Sequence, residues 1–331
     1  MLISNSLRQA CKACKTKDKR KSAMSDKIYP VIIIGAGPAG LTAGIYTARA
    51  HLKPLIIEGP KPGGQLMGTS MVENWPGEKS ILGPTLMMNM IAHAKHAGCE
   101  FLSQSVTHVD FSQKPFRITT NKQRELLSEA VIIATGAQPN TLNCPGEKEY
   151  WGKGVTTCAV CDGAFYPDKQ VVIIGGGDTA MEDASFMTKF TNKITVIQNK
   201  EQLTACTAMQ ERVLENPAIK VIYNSSVSEF KGNGTHLTHV IVKNNKTGAQ
   251  EELPADGAFL AIGMRPTTTP FVNQVELDQW GYIKAYDHTK TSVPGIFVAG
   301  DVADYRYRQA ITSAGVGCMA ALDVEYYLKN R

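Results

Sequence analysis

The sequence predicts an α/β protein with two dinucleotide-binding units, and three observations support this fold class. A β-branched strand, a glycine-rich turn, a helix and a second strand follow one another twice, beginning at residues 31 and 171. Hydrophobic residues make up 43% of the 331-residue chain and charged residues 20%, as in globular proteins of about two domains. No apolar run reaches the roughly 20 residues of a membrane-spanning helix, which argues against an integral membrane protein.

The first unit ends at the acidic residue Glu58 and contains a glycine turn at residues 35–40. Gly35 permits a tight turn, Gly37 lets the backbone approach a pyrophosphate, and Gly40 lets the helix pack on the strand. The start of the helix offers N–H groups to the pyrophosphate. The Glu58 carboxylate can accept hydrogen bonds from an adenosine ribose. We therefore predict a dinucleotide site in this unit.

The second unit repeats the pattern around the turn Gly175-Gly176-Gly177-Asp178-Thr179-Ala180. A helix is expected from about Asp178 to Phe190, followed by a strand at 194–197. Ala180 replaces the third glycine, which is an accepted variant of the motif. Two such units predict two Rossmann-like, three-layer folds and two bound dinucleotides. A duplicated core with one inactive site is the alternative, and the pattern alone does not separate the two.

The positive charge of the chain is concentrated at its N-terminus. Residues 1–23 hold seven Lys or Arg and one Asp, a net charge of +6, so the remainder carries −1. The body therefore has no basic excess, and we predict no nucleic-acid partner. We expect residues 1–26 to be a basic, disordered extension; a start at Met24 and a transit peptide are alternatives. Cys11 and Cys14 supply only half of a tetrahedral zinc site.

A candidate redox centre lies between the two units, at Cys158-Ala159-Val160-Cys161-Asp162. The spacing brings two sulfurs within disulfide reach. A zinc site is the alternative, but no second cysteine or histidine pair lies nearby, so we predict no metal. Asp162 can move protons as thiolates form and leave. Eight cysteines are too few for a secreted disulfide framework, so we expect a cytoplasmic protein.

Residues 27–331 resemble the low-molecular-weight thioredoxin reductases. This resemblance implies that the second Rossmann-like domain is inserted into the first. An FAD-binding domain would comprise residues 27–138 and 265–331, and a nicotinamide-dinucleotide domain carrying the cysteines would comprise residues 139–264. The motifs that carry the resemblance are Gly35–Gly40, Gly63–Leu66, Val72–Gly77, Ala134–Gly136, Cys158–Gly163, Gly175–Ala180, Gly300-Asp301 and Arg308–Ala310.

The resemblance also implies two sets of cofactor-binding residues. Those implied for FAD are Gly35, Gly37, Pro38, Ala39, Glu58, Gly64, Gln65, Leu66, Asn74, Thr135, Gly136, Asp301, Arg308, Gln309 and Ala310. Those implied for the nicotinamide dinucleotide, NADPH or NADH, are Gly175, Gly177, Asp178, Thr179, Ala180 and Lys200.

The activity that the resemblance implies is the reduction of thioredoxin or a thioredoxin-like protein. Hydride would pass from the nicotinamide to FAD, and electrons would then reach the Cys158–Cys161 disulfide. Cys161 would be the cysteine nearer the flavin, Cys158 would attack the partner's disulfide, and Asp162 would act as general acid and base. One dithiol cannot face the flavin and a protein at once, so a domain rotation is implied. A homodimer is a further implication.

One segment departs from the family pattern. After the second strand of the nicotinamide domain, the family places His-Arg-Arg and a further Arg, which grip the 2′-phosphate of NADPH. This chain has Gln198-Asn199-Lys200-Glu201-Gln202-Leu203-Thr204, where only Lys200 is cationic. An NADH enzyme would carry Asp or Glu at the strand end, and Gln198 is neither. NADPH, NADH, both, or a ferredoxin-type donor therefore stay open. A dithiol oxidase and a flavin-bound redox sensor are the competing functions.

Overall fold

Two parallel sheets, one after each predicted glycine turn, organise the protein. The computed structural model describes residues 24–69 and 71–331. The prediction for the first 23 residues lies outside this range, and the first strand begins at Met24, inside the segment assigned by sequence to the extension.

The helices are α1 (Pro38–Arg49), α2 (Gly83–His96), α3 (Ala159–Asp162), α4 (Asp178–Met187), α5 (Thr207–Leu214) and α6 (Ala310–Lys329). The strands are β1 (Met24–Ile34), β2 (Leu55–Ile57), β3 (Met71–Val72), β4 (Ile81–Leu82), β5 (Glu100–Leu102), β6 (Val106–Asp110), β7 (Phe116–Thr120), β8 (Glu125–Ile133), β9 (Ala137–Pro139), β10 (Val155–Thr156), β11 (Val171–Ile174), β12 (Ile194–Ile197), β13 (Ile219–Ile222), β14 (Ser225–Gly232), β15 (Leu237–Asn244), β16 (Gln250–Pro254), β17 (Gly257–Leu260), β18 (Met264–Pro266) and β19 (Ile296–Val298).

The first unit is built on a seven-stranded sheet that draws strands from both ends of the chain. Its order is β5-β2-β1-β8-β7-β6, and β19 pairs with β8. β1, β2, β5, β8 and β19 run parallel, whereas β7 is antiparallel to both β6 and β8. Because β19 is separated in sequence from the other strands, the segment between them forms an insertion, as predicted.

The apolar run of β1 is continuous because both faces of its sheet are covered. Val31 and Ile33 face a core formed with α1, α2 and α6. Ile32 and Ile34 face the opposite core, which includes Phe271. The side chains of these four residues are almost completely buried. A strand with one face in water would instead alternate apolar and polar residues.

The second unit repeats this arrangement on a five-stranded parallel sheet of order β10-β17-β11-β12-β13. Val171 and Ile173 of β11 face a core formed with α4 and α5. Val172 and Ile174 face a layer made by the antiparallel sheet β14-β15-β16. The unit thus has three layers, as predicted from its glycine turn. α4 ends at Met187, three residues earlier than expected, because the chain tightens there and Phe190 N–H donates to Met187 O.

The two units are connected by a short antiparallel pair, β9 with β18. The chain leaves the first unit through β9 and returns through β18, so both crossings lie side by side. The Thr135 hydroxyl donates to Thr267 O at 2.8 Å, and Asn140 N–H donates to Gly263 O at 3.0 Å, which ties the outgoing and returning segments together. None of the helices in the described ranges is long and apolar enough to cross a membrane.

The packing of α6 on α1 predicts that Gly317→Ala destabilises the protein by about 3 kcal/mol or more. The added Cβ would lie 2.2 Å from the backbone oxygen of Ala39, which cannot move aside. At Gly44 the nearest atom is Ile56 Cδ1, at 2.6 Å, the end of a flexible side chain. Gly44→Ala is therefore expected to cost about 1 kcal/mol. Urea unfolding of both variants measures the difference, and equal losses would contradict this packing argument.

Candidate functional site

A cavity of about 1690 Å³ lies where the first unit meets the inserted unit. This volume exceeds the roughly 300–1,000 Å³ of a typical small-ligand pocket and suits an extended cofactor. Every residue that the sequence assigned to FAD lines it, together with Cys158, Cys161 and Asp162. Of the residues assigned to the nicotinamide dinucleotide, Thr179 lines this cavity; Gly175, Gly177, Asp178, Ala180 and Lys200 lie outside it.

The glycine turn after β1 presents bare backbone to the cavity. Gly35 has a φ of +121°, and a Cβ there would lie 2.1 Å from Ala134 O, so the turn can close on β8 only with glycine. Gly37 forms the N-cap of α1, and a Cβ there would have no atom within 4 Å. The space beside Gly37 and the free N–H groups of the helix start fit a pyrophosphate.

Two carboxylates flank this turn. Glu58 follows β2 and accepts a hydrogen bond from the Ser103 hydroxyl. Asp301 follows β19 and accepts a hydrogen bond from the Ser313 hydroxyl at 2.8 Å. Burial raises the pKa of Asp301, and the Ser313 hydrogen bond partly opposes this shift. Parallel strands bring both side chains to the carboxyl edge of the sheet, the usual ligand edge of such folds.

The start of α6 forms the far wall of the cavity. Gln309 is the N-cap, and its side chain takes part in a capping box with Thr312. Its Oε1 accepts a hydrogen bond from Asn74 Nδ2 at 3.3 Å. Arg308 has a φ of +49°, and the Asp304 carboxylate holds this bend by accepting its backbone N–H at 3.2 Å. The positive end of the α6 dipole therefore faces the cavity.

The redox centre reaches this wall from the inserted unit. Cys158 and Cys161 form a disulfide, with their Cα atoms 5.3 Å apart. Cys161 Sγ lies 4.0 Å from Gln309 Oε1, so Cys161 is the sulfur at the α6 side of the cavity. Val160, between the cysteines, is 55% exposed. The centre thus lies between the α6 wall of the cavity and the protein surface.

Asp162 ends α3 next to the disulfide. Its Oδ2 accepts a hydrogen bond from the Thr156 hydroxyl, and the same hydroxyl accepts the backbone N–H of Cys158 at 3.3 Å. Burial raises the pKa of Asp162, and the Thr156 hydrogen bond lowers it. Because burial is the larger effect, the carboxyl group holds a proton more firmly than an exposed aspartate does.

The second glycine turn has the same backbone geometry as the first. Gly175 has a φ of +139°, and a Cβ there would lie 2.4 Å from Ala261 O. Gly177 is the N-cap of α4, and Thr204 Oγ1 is the nearest atom to its would-be Cβ, at 3.8 Å. Asp178 Oδ1 accepts the backbone N–H of Cys206 at 2.7 Å. The turn therefore retains the shape that a dinucleotide requires.

Comparison with known proteins agrees with this architecture. The family model for pyridine nucleotide-disulphide oxidoreductases matches residues 29–317. A thioredoxin reductase from Streptomyces clavuligerus is 46% identical over 92% of this chain and 95% of that relative. The crystal structure of a thioredoxin reductase from Streptococcus pyogenes superposes with a TM-score of 0.89 at 38% identity, covering 93% of this chain and 100% of that one.

The chain belongs to the thioredoxin reductase family. It is therefore a flavoprotein disulfide reductase with two Rossmann-like domains, as the sequence predicted. A Lactococcus lactis thioredoxin reductase, described as in the FR conformation, is also 38% identical and covers 92% of this chain and 100% of its own. It superposes with a TM-score of only 0.63. Members of the thioredoxin reductase family with equal identity to this chain thus differ in overall superposition.

Sequence analysis missed three residues of this thioredoxin reductase site: Thr156, Asp304 and Asp183. Thr156 acts through a hydrogen bond to Asp162 that no sequence pattern indicates. Asp304 accepts the backbone N–H groups of residues 306–308, and an Asp at the start of a turn is a signal that could have revealed it. Asp183 lies on α4 and lines the cavity with Thr179, Glu182 and Phe186. Burial raises its pKa to about 7, with the Arg308 charge opposing, and its Oδ2 has no hydrogen-bond partner in the described chain. The helical spacing of those four residues could have revealed this stripe.

The two first-turn glycines predict opposite outcomes for the same substitution. Gly37→Ala should fold normally, since its φ of −81° suits alanine, but its methyl group would enter the cavity and lower flavin content severalfold. Gly35→Ala should fail as a fold, because both its φ and its contact with Ala134 O exclude a side chain. The ratio of flavin to protein absorbance, measured with the thermal unfolding curve, separates them. A Gly37→Ala protein with its full flavin complement would overturn the assignment.

Proposed function

We propose that this protein transfers electrons from a nicotinamide dinucleotide through FAD and the Cys158–Cys161 pair to the disulfide of thioredoxin or a thioredoxin-like protein. The observation that carries the proposal is the Cys158–Cys161 disulfide, which lies against the start of α6 in a cavity lined by both units. Membership of the thioredoxin reductase family supports thioredoxin as the partner.

We assign FAD to residues 27–138 and 265–331, and the nicotinamide dinucleotide to residues 139–264. The backbone around Gly37 would take the pyrophosphate of FAD, and Glu58 its adenosine ribose. Asp301, Arg308 and Gln309 line the part of the cavity that leads to the disulfide. When bound there, FAD supplies two-electron chemistry between a nicotinamide and a dithiol. The α6 dipole favours negative charge at this wall.

The two cysteines have different tasks. Cys161 faces Gln309 and the cavity wall, so it is the sulfur placed to receive electrons. In the reduced protein, the Cys158 thiolate attacks one sulfur of the partner's disulfide and forms a mixed disulfide, releasing the other sulfur as a thiolate. The Cys161 thiolate then attacks Cys158, which restores the Cys158–Cys161 bond. The partner leaves as a dithiol, reduced by two electrons.

Asp162 supplies and accepts the protons of these steps. Its carboxyl group is mostly buried and next to the cysteines, and burial raises its pKa. A protonated carboxyl can donate to a leaving thiolate and, once ionised, can accept a proton from an attacking thiol. Thr156 positions it, since its hydroxyl binds the carboxylate and the backbone N–H of Cys158 together.

Access to the partner requires movement of the inserted domain. In this structure the disulfide faces the α6 wall of the cavity, and both cysteines are only partly exposed. A rotation of the inserted domain would expose Cys158 more fully to a partner protein. Within residues 71–331 the chain crosses between the units at the β9–β18 pair, and two adjacent crossings suit a hinge. The different superposition of two equally similar relatives supports such a rotation.

A homodimer is the proposed assembly. One face of α6 presents Met319, Leu322 and Tyr326 at helical spacing, and these side chains are 38%, 52% and 71% exposed. An apolar stripe of this kind is typical of a protein interface. We propose the cytoplasm as the compartment, because a dithiol donor works where thiols are kept reduced.

The proposal predicts separate losses in cysteine variants. Cys158→Ser and Cys161→Ser should each abolish thioredoxin reduction, yet flavin should still bleach anaerobically with a nicotinamide dinucleotide, because the cofactor domains are intact. Cys318→Ser is the matched control, since its thiol is half-buried on α6 and does not line the cavity. Turnover by Cys158→Ser with thioredoxin, or no flavin bleaching in the unaltered protein with either dinucleotide, would refute the proposed route.

The position of Asp162 predicts a shift in pH dependence. Asp162→Asn should lower the rate of thioredoxin reduction by about 10²–10⁴-fold. Thr156→Val removes the hydrogen bond that lowers the Asp162 pKa, so burial acts alone and that pKa should rise. The alkaline limb that reports loss of the Asp162 proton should then move to higher pH. A pH profile of single-turnover rates tests this shift; an unchanged limb in Thr156→Val would assign it to another group.

A further inference from the structure

An unusual residue, Gln198, lies at the edge of the second glycine turn where an adenosine ribose would bind. Gln198 follows β12 directly, at the position where dinucleotide folds place the group that contacts the adenosine ribose. Its side chain is almost fully buried, with 3% exposure. A Cβ on Gly176 would lie 2.2 Å from Gln198 Nε2. The Gln198 amide therefore packs directly on the glycine turn.

Both polar atoms of the Gln198 amide are bound within the loop itself. Nε2 donates to Gln202 O at 2.8 Å, and Oε1 accepts the backbone N–H of Asn199 at 2.9 Å. The amide carries no charge, so it neither attracts a phosphate nor repels one. A carboxylate at this position would instead favour a free 2′-hydroxyl and exclude a 2′-phosphate.

The rest of the loop also lacks a phosphate clamp. Thr204 N–H donates to Gly176 O at 2.7 Å, and its hydroxyl approaches the same oxygen at 3.1 Å, so this residue closes the turn with neutral groups. Glu201 forms an exposed ion pair with Lys246, so its carboxylate offsets the charge of that nearby lysine. Lys200 is the loop's remaining positive charge, and it lies in water.

The charges of this loop determine how well the site can distinguish a dinucleotide with a 2′-phosphate from one without it. A planar guanidinium fork binds a 2′-phosphate through paired, charge-assisted hydrogen bonds, whereas a single exposed ammonium is screened by solvent. One such lysine changes affinity by less than about tenfold. Selectivity is a difference between two affinities, and this edge has neither the attractive nor the repulsive element that would create one.

We propose that the inserted domain takes pyridine dinucleotides with or without a 2′-phosphate, and that NADH and NADPH are donors of comparable efficiency. This inference rests on the proposed function, since it names the donor class of the same reaction. The backbone of the glycine turn binds the pyrophosphate. The neutral edge formed by Gln198 and Thr204 neither attracts nor repels a phosphate at the ribose 2′ position.

A binding measurement tests the inference without turnover. Calorimetry on the flavin-loaded protein would compare ADP-ribose with 2′-phospho-ADP-ribose, and stopped-flow absorbance would compare flavin reduction by NADH and by NADPH. We expect each pair of constants to agree within about tenfold. A preference beyond tenfold in either direction for the two probes, or no binding of either, overturns the inference. If the probes bind equally but neither dinucleotide reduces the flavin, the proposed function fails while the binding inference stands.

A charge-restoring variant locates the 2′ position. Asn199→Arg combined with Thr204→Arg should tighten 2′-phospho-ADP-ribose by about 30-fold or more while ADP-ribose changes less than threefold. Gln170→Arg is the control. It adds the same group at an exposed site just before β11, at the end of this strand opposite the glycine turn, and should change neither affinity. Equal effects of the double variant on both probes would show that this loop does not face the 2′ position, which contradicts the inference.

Discussion

The approach of the disulfide to the start of α6 is the constraint on which the functional architecture depends. Cys161 belongs to the inserted unit and Gln309 to the first unit, yet Cys161 Sγ and Gln309 Oε1 lie 4.0 Å apart. The two units, each with its own hydrophobic core, must therefore keep a fixed relative position across the cavity. The β9–β18 pair helps to fix this relative position, because it brings together the two chain segments that cross between the units.

Burial also shapes the electrostatics of the cavity. It raises the pKa of three of the carboxyl groups that line the cavity, Asp162, Asp183 and Asp301. Each shift follows from loss of water around a charged form, and a nearby hydroxyl or cation partly opposes it. These carboxyl groups therefore hold protons more firmly than exposed aspartates do.

The two glycine turns share one backbone geometry but differ in the residue that follows the second strand of each unit. Gly35 and Gly175 have similar positive φ angles and similarly close backbone neighbours, Ala134 and Ala261. Both turns thus have the same backbone shape. The ribose edges differ, because Glu58 is a carboxylate at the first turn and Gln198 a self-bonded amide at the second. The backbone shape of the turn is therefore the same whether the residue at that edge is charged or neutral.

The sequence by itself determined the fold class, the insertion and the redox pair. Strand and turn periodicity is local, and the requirement of Gly35 and Gly175 for glycine follows from bond geometry that every such turn shares. A family resemblance carried by local motifs also indicated residues that line the cavity. What only the tertiary structure decided were the roles of Thr156, Asp183 and Gln198. Their effects depend on partners brought near by folding, since burial and hydrogen bonding are properties of the assembled chain and not of neighbouring residues in sequence.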